Sequence, residues 1–592
     1  MNDQNNKLDV LLVRFLCNRH GDATMNIEQM GLLYVGTYAA KNGYKVRIQD
    51  SPNLTFGVLM EIVQNCELKV IGFYVDHENV NATMSVINDL KSIDEHILCV
   101  IGGPQGSAIP WDERILQESK CDMVVRGEGE LTFTELLNWF FKGKGDLKLI
   151  PGITYRENNQ IKRNSERPPM QNLDQLPLPD HSLNFDRKEP NGSESLITSR
   201  GCPYHCAFCF EGKRESAYRT RSISNVMEEV EELLKIRHPV YLTILDDTFT
   251  VNPERVLEFC HGMKQLRQKY YNVRWFCEGR ANFITKYPEI VPVMVEAGLI
   301  RIQIGIETGN QHILDAYNKN LRLEEIRETV RICAEADVLS IVGNFIVGGA
   351  HENWETVKNS RKFAEELLEI GKGRLELTTT IYTPYPGTPM NDHPEAFGLK
   401  MLDPDCETGP GDDYCFLETN EISKWEIMHA RQMLIETIGA KMFYLLPSVP
   451  YALLLRHYQA FYRLGIRTTW HNVSEGLPNY HSYFTKLLKG DYMHWPLIPS
   501  GEIEKYKPVR TIFIGTSHNG QFILDLQYRQ IELNKISGFI YEHCYGRLTI
   551  EAIISRVQQK YFSQEEREDV KKMVLELFEL FDAEKLCIFT KY

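Results

Sequence analysis

Ser199-Arg-Gly-Cys-Pro-Tyr-His-Cys-Ala-Phe-Cys-Phe210 sets Cys202, Cys206 and Cys209 within one short loop. A C-x3-C-x2-C spacing lets three thiolates converge on one small inorganic centre. An iron–sulfur cluster that only carries electrons uses four cysteines; three leave one iron open to a substrate or cofactor. A zinc knuckle, or chance spacing among 14 cysteines, is the competing reading. Zinc wants a fourth Cys or His at matching spacing, and His205 inside the loop keeps that alternative open.

Downstream, strand-like runs alternate with helical spacers: Ser195–Thr198, Tyr241–Leu245, Val273–Cys277, Ile300–Ile306, Ile341–Val347 and Leu375–Ile381. The six strands over 192–390 match a partial (β/α)6 barrel, and in barrels of this kind the chemistry sits at the carboxyl ends of the strands. Polar residues gather there: Asp246-Asp247, Glu278 and Arg280, Glu307, Gly348-Gly349 and Tyr382. Upstream, Leu8–Val13, Tyr44–Ile48, Val70–Tyr74, His96–Ile101 and Met123–Val125 read as strands of a doubly wound parallel sheet over 1–150. Two strand ends are glycine-rich, Gly102-Gly103-Pro-Gln-Gly106 and Arg126-Gly127-Glu128-Gly129-Glu130, which suits close approach of a ligand to backbone. The proline-rich stretch 151–191 reads as a linker.

The cysteine loop closely resembles that of the radical S-adenosylmethionine (SAM) enzymes. A Rossmann-like domain ending in Val-Val-Arg-Gly-Glu-Gly-Glu-Leu-Thr132 directly before it resembles the cobalamin-binding domain of cobalamin-dependent radical SAM enzymes. The resemblance implies a [4Fe-4S] cluster on Cys202, Cys206 and Cys209, SAM on the open iron, and cobalamin between sheet and barrel. Its nucleotide tail would run near Gly102, Gly103, Gly127, Glu128 and Gly129. The loop holding Asp76 and His77 would face the lower side of cobalt. The Asp-x-His-x-x-Gly motif of cobalamin mutases is absent, so His77 is either a ligand or a hydrogen-bonded surface histidine. By the same resemblance Glu278 and Arg280 touch the ribose and carboxylate of SAM, the turn at Glu307 shapes its methionine side, and Gly348 and Gly349 let adenine pack on backbone. Tyr382, opening Tyr-Thr-Pro-Tyr-Pro-Gly-Thr-Pro389, lines the substrate side and joins the cysteines in the catalytic set.

Residues 391–507 read as a helical, aromatic-rich segment whose aromatic stripes are core. In 508–592, Arg510–Ile514 and Phe522–Leu526 flank Gly515–Gly520 as a hairpin, followed by three helices and a short final strand. This small α+β, winged-helix-like order resembles the pyrroloquinoline-quinone peptide chaperone. That fold recurs as the recognition element for leader peptides, with the leader adding a strand to the hairpin edge.

The chain is 592 residues with net charge −14 and no basic run, which argues against nucleic acid as partner. No apolar stretch approaches the ~18 residues that span a bilayer, and the amino terminus lacks a signal-peptide pattern. The expectation is a cytoplasmic enzyme with a precursor peptide as substrate and a reductase or flavodoxin as electron donor. C-methylation of an unactivated carbon is the expected outcome. Radical cyclisation or crosslinking, or a non-catalytic peptide-binding maturation role, are the alternatives.

Overall fold

The computed structural model describes residues 7–15, 28–50, 54–184, 192–211, 218–403, 414–512, 522–526 and 529–591. They form two compact units, Met1–Gly371 with Leu377–Ile438, and Lys372–Glu376 with Gly439–Tyr592.

In the first unit, apolar runs become the strands β1 (Val10–Arg14), β2 (Val46–Asp50), β3 (Val70–Tyr74), β4 (Leu98–Gly102) and β5 (Met123–Val125). All five are parallel, in the order β2-β1-β3-β4-β5. Alternate residues feed two separate cores, Leu11 and Val13 on one face and Val10 and Leu12 on the other. A sheet buried on both faces needs near-continuous apolar strands, which these are. The strand order reverses between β1 and β3, where doubly wound sheets open a ligand crevice.

The expected linker 151–191 is partly sheet. β6 (Ile153–Glu157) and β7 (Gln160–Arg163) extend the sheet beyond β5 as an antiparallel hairpin. The turn residues Asn158 and Asn159 both have positive φ, 51° and 60°, as a two-residue turn matched to strand twist requires. That Asn-Asn signal is the one the proline content obscured.

Next come β8 (Ser193–Leu196), the short antiparallel pair β9 (Ser199–Arg200) and β10 (Arg219–Thr220), then β11 (Tyr241–Ile244), β12 (Arg274–Gly279), β13 (Leu299–Glu307), β14 (Ser340–Val347) and β15 (Leu375–Ile381). The sheet order β15-β14-β13-β12-β11-β8 runs in chain sequence. Pairings from β8 through β14 are parallel. Helices Ile223–Ile236, Pro253–Lys269, Leu323–Glu335 and Trp354–Gly371 lie between successive strands. A hairpin of β16 (Leu399–Met401) and β17 (Leu417–Thr419) then interrupts the stretch expected to be helical throughout. The helix Lys424–Leu445 runs across the boundary between the units.

The second unit holds helices Tyr451–Leu464, Thr469–Glu475 and Pro478–Leu488, then a small α+β part. Its strands pair differently from expectation. β18 (Lys507–Arg510) pairs antiparallel with the terminal β21 (Cys587–Thr590), and β19 (Phe522–Asp525) with β20 (Gln530–Leu533). Residues 513–521, the expected turn, lie outside the described residues. The apolar residue Ile531 in Gln-Ile-Glu-Leu533 supplies the hairpin partner through its pairing with Leu524. The three helices follow at Lys535–Glu542, Ile550–Tyr561 and Arg567–Ala583. Of the aromatic stripe, Tyr458 and Trp470 are fully buried, but Trp425 and Tyr444 are largely exposed. Among the described residues no helix is long and apolar enough to cross a membrane.

Candidate active site

Two cavities open at the carboxyl ends of the two sheets of the first unit, and Asp247 lines both. Each holds over 1100 Å³ of free space, open mouth included.

The cysteine loop leaves β8 through Thr198 and Ser199. Both are gripped by the buried Asp246, which accepts from Thr198 N (2.6 Å), Thr198 Oγ1 (2.5 Å), Ser199 N (3.1 Å) and Ser199 Oγ (2.6 Å). Farther on, Ala207 N donates to the Tyr317 carbonyl (2.8 Å) and Asn318 Nδ2 to the His205 carbonyl (2.8 Å). Cys202, Cys206 and Cys209 all face one cavity as free thiols. Burial pushes the Cys202 thiol up, so loading a metal there releases its proton. His205 is exposed and absent from the cavity lining, which leaves three thiolates and no fourth ligand from the loop. That donor set fits a cluster with one open iron and not a closed zinc site.

Glu278, Arg280, Glu307 and Tyr382 line the same cavity. Burial, then the neighbouring Asp247 charge, pushes the Glu278 carboxyl up to about 7. Glu307 has φ +65° at a register shift between β13 and β14, and it accepts a hydrogen bond from the buried Lys319 ammonium. A Cβ at Gly305 would fall 2.2 Å from Glu307 Oε1 and 2.4 Å from Lys319 Nζ, so glycine there makes room for the pair.

Gly348 and Gly349 are not on the cavity. Gly348, at φ +78°, donates its N–H to Glu352, and a Cβ there would meet Ile427 at 2.7 Å. A Cβ at Gly349 would sit 1.7 Å from Tyr317 Oη. Backbone packing demands these glycines, and β14 presents Asn344 and Ile346 to the cavity instead.

The second cavity is lined by Gly102 at the end of β4 and Gly103 after it, by Gly127, Glu128 and Gly129 after β5, and by Ser199, Arg200 and Gly201 at the start of the cysteine loop. At Gly127 (φ +74°) an added Cβ would meet nothing within 4 Å, so it would project into open space. A bare glycine floor of this kind fits a large planar group lying against backbone. Glu128 accepts from Arg219 Nη2 (2.6 Å) and Met170 N (3.1 Å); burial pushes its carboxyl up, and Arg219 and Arg200 pull it below the usual range. Arg200 donates to Glu130 (2.6 Å) and lies over the Tyr34 ring, 4.9 Å from its centroid. These pairs join the start of the cysteine loop to the sheet domain.

Asp76 and His77 do not line this cavity. Asp76 Oδ1 accepts from Glu78 N and Asn79 N (3.0 and 3.2 Å), and His77 meets the Tyr385 ring edge-on at 5.1 Å. Asp247 stood among the strand-end polar residues of the sequence, whereas Lys319, Arg200 and Arg219 were not singled out. Arg200 had a signal, standing two residues before the first cysteine. Lys319 had none, because only the return of its loop past β13 brings it to the site.

Residues 196–364 match the radical SAM superfamily and residues 21–137 the B12 binding domain. An uncharacterized methyltransferase of Pyrococcus horikoshii is 32% identical over 386 residues, 63% of this chain and 79% of the relative. The anaerobic magnesium-protoporphyrin IX monomethyl ester cyclase of Cereibacter sphaeroides is 27% identical over 327 residues, 54% of this chain and 50% of that one. Among solved structures, the cobalamin-dependent S-adenosylmethionine radical enzyme OxsB, with aqua-cobalamin and S-adenosylmethionine bound, aligns over 97% of this chain and 84% of its own. Its TM-score is 0.60 at 15% identity, a likeness of fold. The cofactors are a [4Fe-4S] cluster, SAM and cobalamin. With the three-cysteine cavity and the glycine-floored cavity joined at Asp247, the chain belongs to the cobalamin-dependent radical SAM methyltransferase family.

Proposed function

We propose that this enzyme transfers a methyl group to an unactivated carbon of a ribosomally made peptide. The observation that carries the methyl-transfer part is the sharing of Asp247 by the two cavities. When bound, the cluster and SAM supply a carbon-centred radical and cobalamin supplies the methyl group. The protein's own residues orient these groups and the substrate. Cys202, Cys206 and Cys209 hold the iron, while Glu278 and Glu307 offer acceptors to the ribose and amino groups of SAM. Tyr382 and Tyr385 wall the cavity on the side where substrate enters. Gly127, with open space beside it, and Gly102 would leave bare backbone for cobalamin to lie against, while Gly103 and Gly129 pack closely on Val75 and Val35.

The peptide part rests on the α+β region from Lys507 to Thr590: a terminal strand pair, the β19–β20 hairpin and three helices. An extended leader would add to the edge of that hairpin, taking its affinity from backbone hydrogen bonds. A reductase or flavodoxin would supply electrons to the cluster.

The test is anaerobic incubation with a candidate leader-bearing precursor peptide, methyl-labelled SAM and cobalamin. Label in the peptide supports the reading; absence of 5'-deoxyadenosine under every condition defeats it. Ile523→Pro or Ile531→Pro, which removes a strand N–H from the hairpin, should weaken peptide binding and leave cofactor loading intact. Unchanged peptide affinity in both variants would remove the leader assignment. The likeness to the magnesium-protoporphyrin cyclases favours a second reading, radical ring formation without methylation. Loss of two hydrogens from the product, with no label gained, would select it.

A further inference from the structure

Arg280 is turned toward the cysteine loop. Its Nη1 points at Cys206 Sγ at 3.8 Å, and both residues are buried, each 8% exposed. The guanidinium carbon lies 3.6 Å from the centroid of the Tyr204 ring, inside the C-x3-C spacing. Nη2 donates to the Lys319 carbonyl and Nε to Asn282 Oδ1 (3.4 Å). Arg280 N itself donates to Thr250 Oγ1 (2.9 Å). The planar head is therefore held by four groups: a ring below, a carbonyl and an amide oxygen at its edges, and the thiol sulfur ahead.

We propose that Arg280 is a positioning residue for the cluster, donating a charged hydrogen bond to the Cys206 sulfur and thereby setting the cluster's reduction potential. The inference rests on the cluster reading. A guanidinium stays protonated at any working pH. Hydrogen bonds and net charge at the sulfurs are among the terms that set cluster potentials. Reduction adds a negative charge, so a fixed cation on a cysteine sulfur stabilises the reduced form and raises the potential. Tyr204 and the Lys319 carbonyl do this work indirectly, by denying the guanidinium other orientations. The neighbouring cation, Lys319, is already committed to Glu307.

The experiment is an EPR-monitored redox titration of the reconstituted enzyme without SAM, comparing the wild type with Arg280→Gln, Arg280→Lys and Tyr204→Leu. Arg280→Gln should move the midpoint to a more negative value. Arg280→Lys, which keeps charge but loses the planar clamp, should fall between it and the wild type. Tyr204→Leu frees the guanidinium without altering a cavity-lining residue, and should shift the midpoint the same way by less. If Arg280→Gln does not retain a cluster, Tyr204→Leu decides. A midpoint unmoved in every variant that holds a cluster, even with SAM affinity lowered, overturns the inference and leaves Arg280 a SAM contact alone. A wild-type protein giving no cluster signal would instead overturn the reading on which the inference rests.

Discussion

Replacing Asp246 tests how the cysteine loop is held. Asp246 is 2% exposed and accepts four hydrogen bonds, all from Thr198 and Ser199. Asp246→Ala strands two backbone N–H groups and two hydroxyls. The hydroxyls can rotate to other partners; the N–H groups cannot. A buried donor left unmade costs about 1–3 kcal/mol, so two cost about 2–6 kcal/mol. That corresponds to roughly 30-fold to 10⁴-fold more frequent local opening. Asp246→Asn behaves differently. Its Oδ1 still receives both N–H groups, and its amide donates to hydroxyls that turn to accept. Burial pushes the Asp246 carboxyl up more than its donors pull it down, so a neutral isostere forfeits little, about 1 kcal/mol. Hydrogen exchange of residues 196–202 reads the opening directly, and iron per chain reads the consequence, because Cys202 follows three residues after Ser199. Alanine should lose protection and iron while asparagine keeps most of both. Full protection and full iron in Asp246→Ala would refute the argument, as would equal losses in the two variants.

Gly349→Ala drives a Cβ into Tyr317 Oη, whose backbone carbonyl holds Ala207 N; overpacking of this kind costs about 1–3 kcal/mol, and iron content should fall although the residue is off the cavity. Glu278, with its carboxyl raised to about 7, binds its proton more tightly folded than unfolded. Its stabilising contribution is thus complete below the ordinary carboxyl range and lost as pH rises to about 7; a thermal-melt series from pH 5 to 9 should show this dependence flattened in Glu278→Gln. His181 Nδ1 donates to a Glu28 carboxylate oxygen at 2.7 Å, with Glu194 at 3.6 Å. Burial pushes its pKa down, but the Glu28 hydrogen bond and the two carboxylates outweigh that and leave it raised. The stability it contributes is therefore full below its ordinary value and lost as pH climbs through the raised one. His181→Leu should cost about 3 kcal/mol by leaving buried carboxylate charge less compensated, read as a lower melting temperature at pH 6 and a smaller loss at pH 9.

The parallel sheets and the cysteine loop were legible because their signals are local. A buried parallel strand must be apolar along its length, and three thiolates on one metal centre must lie close in sequence unless a fold gathers them. The Asn158-Asn159 hairpin was also written locally, but proline-rich neighbours masked it. The β18–β21 pairing was not local at all: Arg510 opposite Cys587 is a contact between segments separated by three helices.

Residue types and their spacing along the chain lay out the chemistry on offer: three thiolates in one loop, carboxylates at strand ends, glycines at two turns of a doubly wound sheet. Tertiary structure alone decided which of these face a cavity. Gly348 and Gly349 look like Gly127 and Gly129 in sequence, yet the first two are packed against Ile427 and Tyr317 while the second two line a cavity, with open space beside Gly127. Lys319 and the approach of Arg280 to Cys206 likewise depend on loops returning from distant strands. The physical reason is that residue type and spacing set what a group can do, whereas its surroundings in space set whether a cofactor, a side chain or nothing stands beside it.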